Sequence, residues 1–405
     1  MQGNSQTSSV RTGQRKTQTL EDVAQTFIWF EHMREKQPVS FDERMGFWNV
    51  FRYNDVQVVM NDHARFSSRQ QAGTPTPFTA SFLEETIVAM DPPDHRKLRS
   101  LVNLAFTPRA VAQLSDRIAQ ITQTLLDKVK PAGVIDIVTD MAFPLPAMVI
   151  AEMLGIPDED WDVFRRWAYG DTEKNTPQPT NRAEMEKRMR LMEQELHDYF
   201  TNLLKNRRDS NRGDIINTLS NAEIDGQRLS QEEIVNFCIL LLVAGQETTK
   251  NLIANAMLCF TDNPEIMERL VRDPALMPSA IEEVLRYLAP VWNLVRLTTQ
   301  EVELSGQIIP ANQAILPWIA SANHDGRQFS NPDVFDIQRE PNRHLAFGHG
   351  VHFCIGAPLA RLEAKIALPM ILEQLPRLQR VAGIPIDVTI GIVFKIENLP
   401  LSFQL

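Results

Sequence analysis

The sequence predicts a mainly helical protein with small β-sheets, an α+β architecture in which helices form the body and short strands gather on one side. Three observations carry this reading. From about Arg96 to Leu375 the apolar residues recur mostly at helical spacing. The stretch from Ser230 to about Thr261 is apolar on nearly every side, as in a helix buried through the middle of a molecule. Strand-like pieces are short and localised: Trp48 to Phe51 near the start, and Val302 to Leu304, Gln307 to Ile309 and Ala314 to Leu316 late in the chain.

Along the chain, residues 1–17 are polar and are expected to form a flexible tail. They carry Arg11, Arg15 and Lys16 but no apolar core of a secretory signal. Ile118 to Val129, Pro146 to Leu154 and Ala183 to Leu204 show helical spacing, and polar turn-rich pieces flank the short apolar run Ile215 to Leu219. Ser230 with Glu233 three positions later forms a capping-box signature that starts the long apolar helix. A helix over Pro278 to Leu288 must stop before Pro290, Asn323 to Arg343 is irregular, and a further helix begins just after Cys354 and runs to about Leu375. An irregular segment of that length inside a compact protein usually has a functional reason. No internal repeat and no Gly/Ser linker divides the chain, so residues 18–405 are read as one domain, larger than a single core normally grows unless a large cofactor extends it.

Composition excludes several classes. A formal net charge of −10 argues against nucleic acid as the main partner. The longest apolar stretch, Phe237 to Ala244, is far shorter than the ~20 residues that cross a bilayer, so no membrane insertion is expected. Three cysteines fit a reducing compartment, and a cytoplasmic location is expected. Cys238 and Cys259 sit among apolar residues and read as core.

Cys354 stands apart, in Phe347-Gly-His-Gly-Val-His-Phe-Cys-Ile-Gly-Ala-Pro-Leu-Ala-Arg361. Glycines make a tight loop, the cysteine ends it, and a helix starts directly after. Unpaired N–H groups and the positive end of the helix dipole stabilise a thiolate there. Gly356 removes a side chain where a flat ligand could press on the backbone, and Pro358 is tolerated in the first helical turn. The residues alone leave three readings open: a thiolate under a planar macrocycle, a buried structural cysteine, or a zinc site with His349 and His352 that lacks a fourth ligand. A second local anomaly is Ala244-Gly-Gln-Glu-Thr-Thr249, whose residues suit a buried helix interior poorly; it is either a functional site, a satisfied polar cluster or a kink. Glu283 and Arg286, at i,i+3, would alone read as a solvated surface pair.

The Cys354 stretch resembles the haem-binding signature of cytochrome P450 monooxygenases at Phe347, Gly348, Gly350, Cys354 and Gly356. The resemblance recurs in order from Trp48 to about Leu401 and looks like the soluble bacterial branch. It implies a triangular helical fold, with haem b buried between the long central helix and the helix after the Cys loop, and Cys354 as the iron ligand. It further implies that Ala244-to-Thr249 is the oxygen-activation motif: Ala244 lies against the haem, Gly245 leaves room over it, Thr248 offers a hydroxyl to the oxygen being activated, and Glu247 helps bring in protons. Glu283 and Arg286 become a structural lock for the loop leading to Cys354, with Arg339 or Arg343 as third member. His95, Arg99, Arg296 and His352 match clamps for the two haem propionates, which must be neutralised when buried.

Substrate-pocket residues follow only from the resemblance: Phe82, Val88, Val291, Leu294, Ile392 and Val393, all apolar and each equally readable as plain core. The implied reaction uses O2 and two external electrons to hydroxylate or epoxidise a small-to-medium apolar molecule such as a fatty acid, terpenoid or steroid. The last pocket segment departs from the family, with Phe394-Lys395 where Arg-Gly is usual. No Gly-rich flavin or nicotinamide fingerprint follows a strand, so an external ferredoxin or flavodoxin with its reductase is expected to supply electrons. Arg96, Lys97, Arg99, Arg109, Arg361 and Lys365 would then form a basic docking face on the thiolate side, the alternative being scattered surface charge. Two rival functions remain, a peroxide-driven peroxygenase and a non-catalytic haem-thiolate sensor. The acid–alcohol pair Glu247-Thr248 disfavours the first, and the lack of length for a signalling domain disfavours the second.

Overall fold

One long helix organises the molecule. In a computed structural model that describes residues 18–69, 85–169, 182–206 and 214–404, the chain 231–262 runs as α10 (Gln231–Leu240), a π-helical turn (Leu241–Gly245) and α11 (Gln246–Asp262). The expected capping box starts it, with Ser230 N donating to Glu233 Oε2 at 2.7 Å and Glu233 N to Ser230 Oγ at 3.1 Å. Asn, Thr and Gly weaken a helix by up to about 1 kcal/mol each. Leu252, Ile253, Met257 and Phe260 are each no more than 1% exposed, and such burial contributes roughly 1.5–3 kcal/mol per side chain, so packing wins. The π turn is a local widening absent from the sequence reading; such turns concentrate at functional sites.

Around this axis lie α5 (Ser115–Val129), α6 (Pro144–Met153), α13 (Met277–Tyr287) and α15 (Ala357–Gln374), close to the helices expected there. The central helix packs on α6, α13 and α15, and α15 packs on α5. Outer helices are α1 (Leu20–Lys36), α2 (Tyr53–Asn61), α3 (Asp94–Asn103), α4 (Pro108–Ala112), α7 (Trp161–Tyr169), α8 (Arg182–Lys205), α9 (Ile215–Asn221), α12 (Pro264–Arg272) and α14 (Ile319–Ala322). The expected tail, residues 1–17, lies outside the described residues.

The strands are short and lie at the side. A five-stranded sheet has the order β2 (Val39–Asp42), β3 (Phe47–Val50), β11 (Ala314–Pro317), β8 (Arg296–Thr298) and β4 (Phe66–Ser67). β11 pairs with β3 in parallel, Ile315 opposite Trp48, and every other pair in this sheet is antiparallel. The remaining strands form small antiparallel groups. β1 (Gln18–Thr19) joins the hairpin β13 (Asp387–Thr389) and β14 (Lys395–Ile396), while β15 (Pro400–Ser402) lies between β12 (Gln379–Arg380) and β5 (Val134–Asp136). Two hairpins, β6 (Glu223–Ile224) with β7 (Gln227–Arg228) and β9 (Val302–Leu304) with β10 (Gln307–Ile309), complete the set. Among the described residues no helix is long and apolar enough to cross a membrane.

Candidate active site

Asn323 to His349 contains no helix or strand, so side chains do the holding. Glu283 and Arg286 on α13 are wholly buried, and Arg286 clasps the carboxylate through Nε and Nη2 at 2.8 Å each. The same guanidinium donates to the carbonyls of Asn323 (2.9 Å), Pro332 (2.7 Å) and Val334 (3.2 Å). Glu283 also accepts from Asp336 N (2.9 Å), Asn342 Nδ2 (3.0 Å) and Arg339 Nε (3.2 Å). Arg339 donates onward to the carbonyls of Ser330, Asn331 and Val334. The third member is therefore Arg339. Arg343 instead offers its carbonyl to Tyr53 Oη at 2.6 Å.

A neighbouring pair steadies the loop from the other side. Arg361 on α15 donates to both oxygens of Glu282 at 2.7 Å, and its guanidinium lies 4.4 Å from the centre of the Phe347 ring. Burial alone pushes the Glu282 carboxyl up, but hydrogen bonds from Arg361 and His344 outweigh it and hold the group down at about 2, against an ordinary 4.5. A carboxyl lowered in the folded state stabilises fully above its unfolded value and loses that contribution as pH falls through the folded one. Glu282→Gln is therefore expected to flatten the acid loss of stability between about pH 4.5 and pH 2. Urea titrations across that range check this, and an unchanged acid limb would contradict it.

The Cys354 loop docks on the end of α2. Gly348 and Gly350 have φ of +76° and +69°, and a Cβ on Gly350 would come within 2.8 Å of Asn61 Oδ1 and 3.0 Å of Asn61 Cα. Glycine is thus required twice over at 350, by conformation and by space. Cys354 N donates to Phe347 O at 2.8 Å, closing the loop before α15 starts. Arg99 on α3 donates to the carbonyls of Val351 (3.1 Å) and Phe353 (2.6 Å), so it braces the loop whatever else it does.

The N–H groups of Gly356 and Ala357 act on the Cys354 sulfur and favour its thiolate. A Cβ on Gly356 would lie 3.9 Å from Sγ, so glycine keeps the flank of the sulfur clear. Cys354 is accessible yet set deep among protein atoms, and Ala244, in the middle of the buried central helix, is accessible too. Burial pushes the Cys354 thiol up, against the pull of those N–H groups and of Arg99 and Arg361. Ligation of a cation by the sulfur would remove the proton outright.

Nitrogen donors gather beside this loop with little to answer them. His95 on α3 and His352 have ring centres 4.3 Å apart, and His95 Nε2 is buried without a hydrogen-bond partner. Arg296 is buried, and its Nη1 donates to the carbonyl of its neighbour Val295 at 2.8 Å. Burial lowers Arg296 to about 10; burial and nearby guanidinium groups lower His95 to about 4 and His352 to about 3. Asp91, the acid in this group, accepts from Ser67 Oγ and, at 2.9 Å, from Ser68 N, while Ser68 Oγ pairs with His352 Nε2 at 2.9 Å. The cluster is short of negative charge, and two buried carboxylates would supply it. The residues therefore fit a haem, whose propionates His95, Arg296 and His352 would hold. No group of three or more His, Cys, Asp or Glu side chains that could hold a metal ion occurs among the described residues, which removes the zinc reading.

Ala244 and Gly245 end the π turn, and Gln246 to Thr249 open α11. Thr248 Oγ1 donates back to Ala244 O at 2.9 Å. Glu247 meets Lys395 of β14, Oε1 to Nζ at 2.5 Å, a partner that sequence reasoning missed. Gly245 lies where the central helix meets α6. A Cβ there would meet Ile150 Cδ1 of α6 at 2.9 Å, so the missing side chain lets two helices close, and open surface belongs to Ala244 instead.

A family model for cytochrome P450 matches residues 21–160 and 174–401. The chain belongs to the cytochrome P450 family. A putative cytochrome P450, YjiB of Bacillus subtilis, is 43% identical over 369 residues, 91% of each chain. The cyclomarin C epoxidase CymV of Salinispora arenicola is 39% identical over 360 residues, 89% of this chain and 91% of that one. CYP109E1 of Bacillus megaterium in complex with corticosterone superposes with a TM-score of 0.87 at 38% identity, covering 95% of this chain and all of that one. The protein is thus a P450 monooxygenase, an oxidoreductase of the bacterial haem-thiolate class.

In this P450, the segments expected to form the substrate wall meet. Val291 bridges Val393, Trp292 N donates to Ile392 O at 2.7 Å, and Phe394 N to Pro290 O at 2.9 Å. Val291, Leu294, Ile392 and Val393 are half-buried and Val88 is exposed, whereas Phe82 lies outside the described residues. Of the six basic residues expected near the thiolate, Arg99 and Arg361 are engaged internally. Arg96, Lys97, Arg109 and Lys365 are exposed, and α4, which carries Arg109, packs on α15, which carries Lys365. Exposed Phe353 and Leu104 add apolar surface to the loop and to the end of α3.

Proposed function

We propose that this P450 binds haem b through Cys354, clamps its propionates with His95, Arg296 and His352, and hydroxylates or epoxidises an apolar molecule of about steroid size. The observation that carries this is the unpartnered, buried His95 Nε2 and the buried Arg296, which meets only a neutral carbonyl, beside an accessible Cys354 at a helix N-terminus. Haem with a thiolate ligand supplies O–O bond cleavage. This chain's residues supply the rest: Arg99 braces the sulfur's loop, Thr248 places a hydroxyl at the π turn, and Glu247 handles protons beside it. The half-buried apolar side chains of Val291, Leu294, Ile392 and Val393 support an apolar substrate, and the steroid complexes of CYP109E1 support the size.

Electrons come, on this reading, from an acidic ferredoxin or flavodoxin with its reductase. Arg96, Lys97, Arg109 and Lys365 are all exposed, and on an otherwise acidic chain such positive charge favours an acidic partner by electrostatic steering. One domain over residues 18–405 is supported by an apolar cluster that joins α1 to β15. Three free cysteines support a cytoplasmic location.

The test is reconstitution with a reductase–ferredoxin pair, O2 and a panel of steroids, terpenoids and fatty acids. Product formed with matched electron consumption supports the proposal, whereas product from peroxide alone would support the peroxygenase. Thr248→Ala is expected to keep substrate-induced spectral shifts and reduction while sending most electrons to peroxide or water. Unchanged product per electron would remove Thr248 from the reaction.

A further inference from the structure

The ion pair of Glu247 with Lys395 joins two regions that the reaction requires to act together. Glu247 immediately precedes Thr248 in the first turn of α11, and Lys395 opens β14 at the end of the loop that carries Ile392 and Val393. That loop is fastened to residues 290–292 by two backbone hydrogen bonds, which make up the Val291–Val393 bridge. Glu247 and Lys395 are each about two-thirds buried, with side-chain exposures of 32% and 29%. Lys250, one turn further along α11, is buried close to Glu247 and Glu397, and Glu397 accepts from Thr389 Oγ1 at 2.6 Å across the hairpin. Two acids and two lysines thus alternate where α11 meets the β13–β14 hairpin.

We propose that Lys395 is a positioning residue that holds the Glu247 carboxylate against the β13–β14 hairpin, so that the placing of the acid depends on the setting of the Ile392–Val393 wall by substrate. This rests on Glu247 being the proton-handling acid and on that wall facing substrate. A carboxylate paired at 2.5 Å with an ammonium cannot turn toward Thr248 without breaking the pair, and the Thr248 hydroxyl is itself held on Ala244 O. A partly exposed ion pair shifts populations by only about two- to fivefold, so it restrains the acid without locking it. A substrate that moves the hairpin changes that restraint, whereas a poorly fitting one leaves the acid on Lys395. The acid's part is proton transfer alone: the O–H bond of protonated Glu247 breaks as one forms to the Thr248 hydroxyl oxygen, that hydroxyl passes its own proton to the oxygen substrate, and solvent reprotonates Glu247.

Two measurements on the haem-loaded full chain test this. Amide hydrogen exchange over residues 387–396, followed by mass spectrometry without substrate, reads the restraint. Glu247→Gln lies on another element, yet it is expected to speed exchange in the hairpin about two- to fivefold, as is Lys395→Met, with Lys395→Arg restoring the wild-type rate. Unchanged hairpin exchange in both variants overturns the proposal. Peroxide released per electron consumed, with testosterone as probe, reads the consequence. Lys395→Met is expected to raise it about two- to fivefold, and the double variant should release no more than Glu247→Gln alone. If Glu247→Gln raises peroxide but Lys395→Met does not, or if the two effects add, the role of Lys395 fails by itself. If Glu247→Gln leaves peroxide unchanged, the assignment of Glu247 fails and takes this inference with it.

Discussion

Cys354→His is expected to abolish monooxygenation in a protein that still folds and takes up haem. The loop is held by groups that do not use the sulfur: Cys354 N on Phe347 O, glycines at 348 and 350 against α2, and Arg99 on the carbonyls of Val351 and Phe353. The substitution therefore changes the ligand's chemistry more than its scaffold. A neutral imidazole replaces a strongly donating thiolate, and that donation is what favours O–O cleavage. Product formation should fall at least about 100-fold, equivalent to roughly 2.7 kcal/mol of barrier. Reconstituted turnover beside haem content checks this, and normal turnover would show that Cys354 is not the ligand.

Glu283→Gln should be the most destabilising single change in the scaffold. The carboxylate is wholly buried and answers both Arg286 and Arg339, which between them hold carbonyls from Ser330 to Val334 and that of Asn323. Removing its charge leaves two guanidinium groups uncompensated in the interior, at a cost of about 3–5 kcal/mol. Because the segment they hold leads into the Cys354 loop, haem content should fall together with stability. Denaturant titration and haem quantification check the pair of effects. A stability within about 0.5 kcal/mol of wild type, as for an ordinary surface change, would contradict the network's role.

What could be read from the sequence was what broke local rules. Glycines around Cys354 and polar residues inside an apolar helix stand out because ordinary packing does not ask for them. The central helix and α15 were legible from apolar pattern and caps, but the π turn over Leu241–Gly245 leaves no mark that periodicity detects. The helix Leu20–Lys36 buries only Val23, Phe30, Met33 and Arg34, too sparse a stripe to be evident. Spacing could not choose between Arg339 and Arg343, since both lie in irregular chain and only the folded path brings one to Glu283. Gly245 was legible as a constraint but not its cause, because Ile150 comes from a distant helix. Lys395 showed as a departure from the family pattern, and its partner became visible only when β14 met α11.

The central claim is that the Cys354 sulfur is the haem ligand, and the absorption spectrum of the purified, reduced, carbon-monoxide-bound protein tests it most directly. A strongly red-shifted Soret band, lost in Cys354→His, is the predicted result. A band at the position typical of histidine-ligated haem in the active wild-type protein would contradict it.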